Sequence, residues 1–98
     1  MLNIQFSSEA EADFRESFYY YETKKEGLGF QFEDAISSCL QKISEHPEYY
    51  GTTDGGLRRI LVQTFPYVIA FEPDVEAGRI LVVSIAHTSR DLRERYKR

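Results

Sequence analysis

The segment 57–87, LRRILVQTFPYVIAFEPDVEAGRILVVSIAH, constrains the fold more than any other part of the chain. It concentrates the strongly β-prone residues and is divided by two turn signals. The first is Phe65-Pro66-Tyr67, because proline fixes φ and donates no ladder hydrogen bond. The second is 72–78, with Pro73, Asp74 and a closing Gly78. The punctuation predicts strands over 57–63, 67–72 and 79–86, and connections this short favour an antiparallel meander. Along the first strand Arg59 and Leu61 point one way, and Arg58, Ile60 and Val62 the other. The other two strands read as almost unbroken apolar runs, the pattern of central strands covered on both faces.

The cover must come from the first half of the chain. Leu2, Ile4 and Phe6 alternate with polar residues, which predicts a short half-buried strand. Ser7-Ser8 then opens a helix, with Ser8 and Glu11 spaced as a capping box. Ala10, Phe14, Phe18 and Tyr21 form an apolar stripe on that helix, and Gly27 can end it. A second helix is expected from Leu28 or Gly29 to Glu45, with Phe32, Ile36, Cys39, Leu40 and Ile43 as its stripe. Pro47 stops it and places His46 at the boundary. Two helices joined at Gly27 make an antiparallel hairpin. The expected fold class is therefore α+β in the order β-α-α-β-β-β, an antiparallel sheet with the hairpin on one face and the first strand on an edge left undetermined. The segment 48–56 reads as a loop, and the sequence leaves open whether the C-terminal end is a short helix or an extended tail.

Ninety-eight residues suffice for one domain with one core, so the whole of 1–98 is read as a single domain with a basic tail at about 88–98. No apolar run reaches the ~20 residues of a membrane span. The N-terminus has no signal-like core, and Cys39 is the lone cysteine, which together predict a cytoplasmic protein with no membrane partner. Charge is unevenly spread. The net value is −4, yet residues 1–50 carry ten acids against four bases, whereas residues 90–98 carry five bases against two acids.

The residues exclude several chemistries. Two histidines, His46 and His87, and one cysteine stand in no ligand spacing, so neither a metal nor another cofactor is expected. No phosphate-binding glycine loop and no nucleophile elbow is present. His87 ends a buried strand and could act as a base, although a lone histidine there is more often structural.

In order and spacing, Ala10-Glu-Ala-Asp-Phe14, His46-Pro47, Leu57-Arg58, Phe65-Pro66-Tyr67, Ile85-Ala86-His87 and Arg90-Asp91 resemble the RelE/ParE toxin superfamily of bacterial type II toxin–antitoxin systems over nearly the whole chain. The resemblance implies a toxin neutralised by a cognate antitoxin. Its RelE branch cleaves messenger RNA on the ribosome; its ParE branch binds and blocks DNA gyrase without a known hydrolytic site. Carried over to this chain, a RelE-like site would use Arg59, His87, Arg90 and Tyr96. Leu61 and Val68, however, stand where that branch carries cations. His87 followed by Arg90-Asp91-Leu92 is similar to the ParE pattern, which favours a gyrase inhibitor. Arg58, Arg59, Arg90, Arg93, Arg95 and Tyr96 are then the residues expected to bind target or antitoxin, with Lys97 and Arg98 adding charge to the tail. The pI of about 5.1 departs from the usually basic superfamily. It argues against ribosome binding, which rests on phosphate neutralisation, more than against gyrase binding. It is also compatible with a non-toxic relative that only binds an antitoxin.

Overall fold

The apolar runs of the second half do become strands, and the amphipathic segments of the first half become the helices that cover them. The computed structural model describes residues 2–51 and 56–89. The elements are β1 (Asn3–Phe6), α1 (Ser8–Lys24), α2 (Leu28–Glu45), a short 3-10 turn (Pro47–Tyr49), β2 (Arg58–Leu61), β3 (Tyr67–Asp74) and β4 (Arg79–His87). The sheet order is β1-β4-β3-β2. The 57–87 meander is antiparallel as expected. β1 takes the edge beside β4 and runs parallel to it, so the sheet is mixed and not wholly antiparallel. The hairpin is the reason. It carries the chain from the end of β1 back over one sheet face, and a crossover of this length returns a strand in the same direction.

The inner face of the sheet, with Ile60, Tyr67, Ile69, Phe71, Ile80, Val82 and Ile85, packs on Ala10 of α1 and on Phe32, Ile36, Cys39 and Ile43 of α2. A bulge explains why β4 reads as an unbroken apolar run. Ala70 faces Ser84 but Phe71 faces Val82, so Val83 is an extra residue and the phase of β4 flips there. Val82 and Ile85 thus both reach the core despite an odd spacing. Val68, Ala70, Ser84 and Ala86 are also buried, as expected for strands closed on both faces.

Local details shift the expected boundaries. The helix cap is Ser7, not Ser8: its Oγ accepts from Ala10 N–H at 3.0 Å and donates to the Val83 carbonyl at 2.8 Å. Ser7 N–H still belongs to the sheet, donating to the Val82 carbonyl at 2.9 Å, so the helix starts one residue earlier than a Ser8 box would place it. β3 continues through Pro73 to Asp74 because β2 begins only opposite Phe71, so a proline beyond that point costs no ladder bond to β2. Gly27 joins the helices with φ +89, a left-handed conformation that suits glycine. α2 has no acid in its first turn and no side-chain cap of its own. Glu22 of α1 takes that role, its two carboxylate oxygens accepting from Gly27 and Gly29 N–H at 2.9 Å each.

Asp13 completes the attachment of α1. β1 pairs with β4 only as far as Val82, which leaves the edge of β4 beyond it without a strand neighbour. Asp13 Oδ2 accepts from the Ile85 N–H at 2.9 Å. Asp13→Ala strands that buried donor and is expected to cost about 1–3 kcal/mol, read as a lower urea midpoint at constant m. An unchanged midpoint would mean that water replaces the carboxylate.

Candidate functional site

Three regions of the surface compete for function: the strand ends around His87, the edge strand β2, and the hairpin.

At the strand ends, Tyr67 lies opposite His87, with ring centroids 5.3 Å apart and near edge-to-face. Tyr67 also meets Phe32 at 5.0 Å and Tyr21 at 6.1 Å, and Tyr21 meets Phe65 at 4.9 Å. Pro66 closes the turn so that its carbonyl accepts from Thr88 N–H at 2.7 Å. The Ser89 N–H donates to His87 Nδ1 at 3.0 Å, and Ser89 Oγ lies 2.7 Å from the same nitrogen. Accepting from a backbone N–H requires an unprotonated Nδ1, so the imidazole proton sits on Nε2. His87 therefore shapes the first turn after β4, and its ring belongs to the aromatic cluster.

Burial, followed by the charge and hydrogen bond of the neighbouring Tyr67, pushes the Tyr21 phenol up to about 12. A phenol held neutral in the folded state above its ordinary pKa contributes stability below pH ~10, and that contribution is lost as pH rises towards ~12. Alkaline titration of folding should show a fall in that window, and Tyr21→Phe should flatten it. An identical profile in the variant would place the alkaline transition elsewhere.

On β2 the two arginines separate. Arg58 faces inward, and its Nη1 donates to the Tyr50 carbonyl at 2.6 Å, tying the 48–51 segment to the sheet. Together with Arg59 N–H to the Gly51 carbonyl at 3.2 Å and the Cys39 thiol towards the Leu61 carbonyl at 3.7 Å, this covers much of the open side of the edge strand. Cys39 is buried, which pushes its thiol up; Lys42 opposes the shift less strongly. Arg59 is exposed on the outer face. Beside it Leu61, 66% exposed, pairs with the buried Val68, so the surface next to Arg59 is apolar.

Arg59 and His87 are thus not brought together. Arg59 lies opposite Ala70 on the outer face of an edge strand, and His87 lies opposite Tyr67 on the inner face of β4, two strands away. Arg90, Arg93, Arg95 and Tyr96, with Lys97 and Arg98, lie outside the described residues. Among the described residues, no group of three or more His, Cys, Asp or Glu could hold a metal ion, and no helix is long and apolar enough to cross a membrane.

The hairpin holds a groove that no sequence pattern marks, although the tyrosines 19–21, of which Tyr19 lines it, read from the sequence as suitable anchors for a partner. Phe14, Phe18, Phe30, Ile36 and Leu40 line a groove of about 590 Å³ between α1 and α2, bounded at one end by Phe6 of β1. Phe18 and Phe30 meet edge-to-face at 5.0 Å. Tyr19 and Phe30 are 61% and 57% exposed, unusual for rings of this size unless something covers them. The sequence signal was present in Phe30, which falls off the α2 stripe, and in Tyr19, which widens that of α1.

Comparison with known proteins agrees with this architecture. A family profile described as the ParE toxin of the type II toxin–antitoxin system, parDE, matches residues 4–92. A chain of the chromosomal ParDE system from P. aeruginosa superposes with a TM-score of 0.70 at 14% identity, covering 89% of this chain and 96% of that one. A chain of the intact E. coli RelBE toxin–antitoxin complex gives 0.69 at 16%, covering 92% and 100%, and the isolated E. coli RelE toxin gives 0.65 at 18%, covering 93% and 88%. At such identities these likenesses establish the fold. Among curated proteins, none matches the chain in sequence.

Proposed function

The chain belongs to the ParE toxin family of type II toxin–antitoxin systems, and from that premise we propose that it acts by binding, as an inhibitor of DNA gyrase neutralised by a cognate antitoxin, and not as a ribonuclease. One observation carries the choice. Arg59 and His87 occupy opposite faces of the sheet, and the surface beside Arg59 is Leu61 over Val68. Attack of a ribose 2′-OH on phosphate needs a base, an acid and positive charge converging on one phosphate. An inhibitor that acts by binding needs none of these. It needs a rigid sheet that delivers the segment after β4, and the His87–Ser89 turn anchored on Tyr67 and Pro66 supplies a fixed point of departure. The basic residues Arg90, Arg93, Arg95, Lys97 and Arg98 follow immediately.

Rim charges mainly speed association, so any single Arg→Ala in 90–98 should weaken inhibition by about 1 kcal/mol or less. Truncation after Ser89 should remove most inhibition while leaving the fold intact, since the core lies upstream. The measurement is gyrase supercoiling with full-length and truncated protein. Supercoiling untouched by full-length protein at tens of micromolar, or equal inhibition by both forms, sinks the proposal. Codon-phased cuts in translated messages, lost in Arg90→Ala, would establish the ribonuclease instead.

A further inference from the structure

β4 ends at His87, and two successive backbone N–H groups tie down the chain beyond it. Thr88 N–H donates to the Pro66 carbonyl at 2.7 Å, across the turn between β2 and β3. Ser89 N–H donates to Nδ1 of His87 at 3.0 Å. The second bond has the pattern of an Asx turn, in which an asparagine or aspartate side chain accepts from the N–H two residues on. An imidazole nitrogen here takes the place of the side-chain oxygen. The two bonds differ in one respect. The Pro66 carbonyl accepts at any pH, whereas Nδ1 accepts only while it carries no proton. Histidine is the side chain whose charge ordinarily changes between about pH 5 and 8.

We infer that His87 is a positioning residue for the basic segment 90–98, and that it works only as the neutral imidazole: Nδ1 fixes the backbone at Ser89, and with it the direction in which the segment leaves the sheet, and protonation releases it. The inference rests on the inhibitor reading above. A segment whose point of departure is already fixed loses less freedom on meeting its target, so the bond strengthens binding without touching the target. Positioning is complete with the ring neutral and is lost as falling pH charges it. A charged ring also stands two residues after Ile85 and three before Arg90, at the head of a segment with five bases against two acids, and like charges push that segment away from the strand end. The ring is faced by Tyr67 of β3, with Tyr21 of α1 behind it at 6.1 Å, and among the described residues His87 takes part in no ion pair. Phenols ordinarily stay neutral below about pH 10, so neither supplies a counter-charge. Arg90 and Asp91 are the next charged residues along the chain. Ser89 Oγ, 2.7 Å from Nδ1, is placed to accept from the nitrogen once it is protonated, and so softens the release.

The test sets the acceptor against the ring in the full-length protein. His87→Asn keeps an acceptor for Ser89 N–H, as in an Asx turn, and loses the ring. His87→Phe keeps a ring against Tyr67 and loses the acceptor. The first readout needs no target: solvent exchange of the Ser89 amide by NMR, corrected for the intrinsic pH dependence of exchange, with the imidazole nitrogen shifts reporting the tautomer. At about pH 8 the wild-type and Asn proteins should exchange about three- to tenfold more slowly than the Phe protein, the span that one net intramolecular hydrogen bond covers. At about pH 5.5 wild type should approach the Phe protein while the Asn protein holds its protection. Ser89→Ala should enlarge the loss at low pH. The second readout is the half-inhibitory concentration in gyrase supercoiling, taken as a ratio to wild type at each pH so that the pH dependence of gyrase itself cancels. The Phe protein should need several-fold more than wild type at the higher pH and the same amount at the lower. The Asn protein should match wild type at the higher pH and surpass it at the lower. A proton on Nδ1 at the higher pH, Ser89 exchange unaltered by His87→Phe, or a Phe protein that inhibits like wild type while the Asn protein does not, overturns the inference; the last would assign His87 to ring packing alone. Wild-type protein that leaves supercoiling untouched removes the inhibitor reading instead, and Ser89 exchange then still decides whether His87 sets the departure of the segment.

Discussion

Replacing Phe32 with alanine is expected to cost about 3–5 kcal/mol of folding stability. Phe32 is fully buried on α2 and sits where the hairpin meets the sheet. Its ring lies 5.8 Å from Phe14 and 5.3 Å from Tyr21 on α1, and 5.4 Å from Phe65 and 5.0 Å from Tyr67 on the sheet side. Truncation removes the transfer energy of a large aromatic and several favourable ring contacts, each worth about 0.5–1.5 kcal/mol. It also leaves a cavity among neighbours held on three different elements, which cannot collapse together. A domain of this size has about 5–15 kcal/mol in all, so the variant should be close to its unfolding threshold at physiological temperature. Urea denaturation reads the change, with Phe32→Leu as a control expected to lose less than half as much. A loss below about 1.5 kcal/mol for alanine would mean that the aromatic cluster closes over the gap and that Phe32 is not its centre.

Gly29→Ala should be destabilising by about 2 kcal/mol, against the usual sign for such a change inside a helix. Alanine ordinarily gains about 1 kcal/mol over glycine there. At Gly29 the added Cβ would stand 2.8 Å from the Phe18 carbonyl oxygen, 2.9 Å from Glu22 Oε1 and 3.2 Å from Glu22 Cβ. The Phe18 carbonyl is helix backbone and cannot swing aside, so the helices must separate. That displacement also pulls the Glu22 carboxylate off the Gly27 and Gly29 N–H groups. Overpacking of this kind costs about 1–3 kcal/mol. Glu22→Ala should be destabilising as well, since bonds to an ionised acceptor are each worth about 1.5–3 kcal/mol. Because both changes act through the same contact, the double variant should cost clearly less than the two singles added together. Additive losses, or a Gly29→Ala protein more stable than wild type, would show that the hairpin is not held at this point.

The fate of the 10–14 motif shows how far the sequence could be read. Its helical character and the apolar face of Ala10 and Phe14 follow from spacing alone, because helix periodicity is local. That Asp13 replaces a missing strand along β4 could not be inferred, since the Ile85 N–H it satisfies is 72 residues away. Glu22 is a similar case. It reads as one more solvated acid on α1, and only the approach of the two helices turns it into the cap of α2. For the candidate site, His87 and the arginines of β2 were legible as residue types. The alternation along β2 already put Arg58 and Arg59 on opposite faces. Their distribution about the sheet as a whole was not legible, because it depends on strand order and on a bulge at Val83 that no local pattern marks.

The sequence by itself determined the order of elements, the hairpin, the turns at Pro66 and Gly78 and the family resemblance, all of which rest on short-range periodicity, on proline and glycine chemistry, and on the order of short motifs. The tertiary structure decided that β1 runs parallel at the β4 edge, that Arg59 and His87 stand apart, and that α1 and α2 leave an apolar groove. Each of these depends on contacts between residues distant in the chain. Such contacts form only when whole elements pack, and a pattern read along the backbone carries no information about which of several compatible packings buries the most apolar surface.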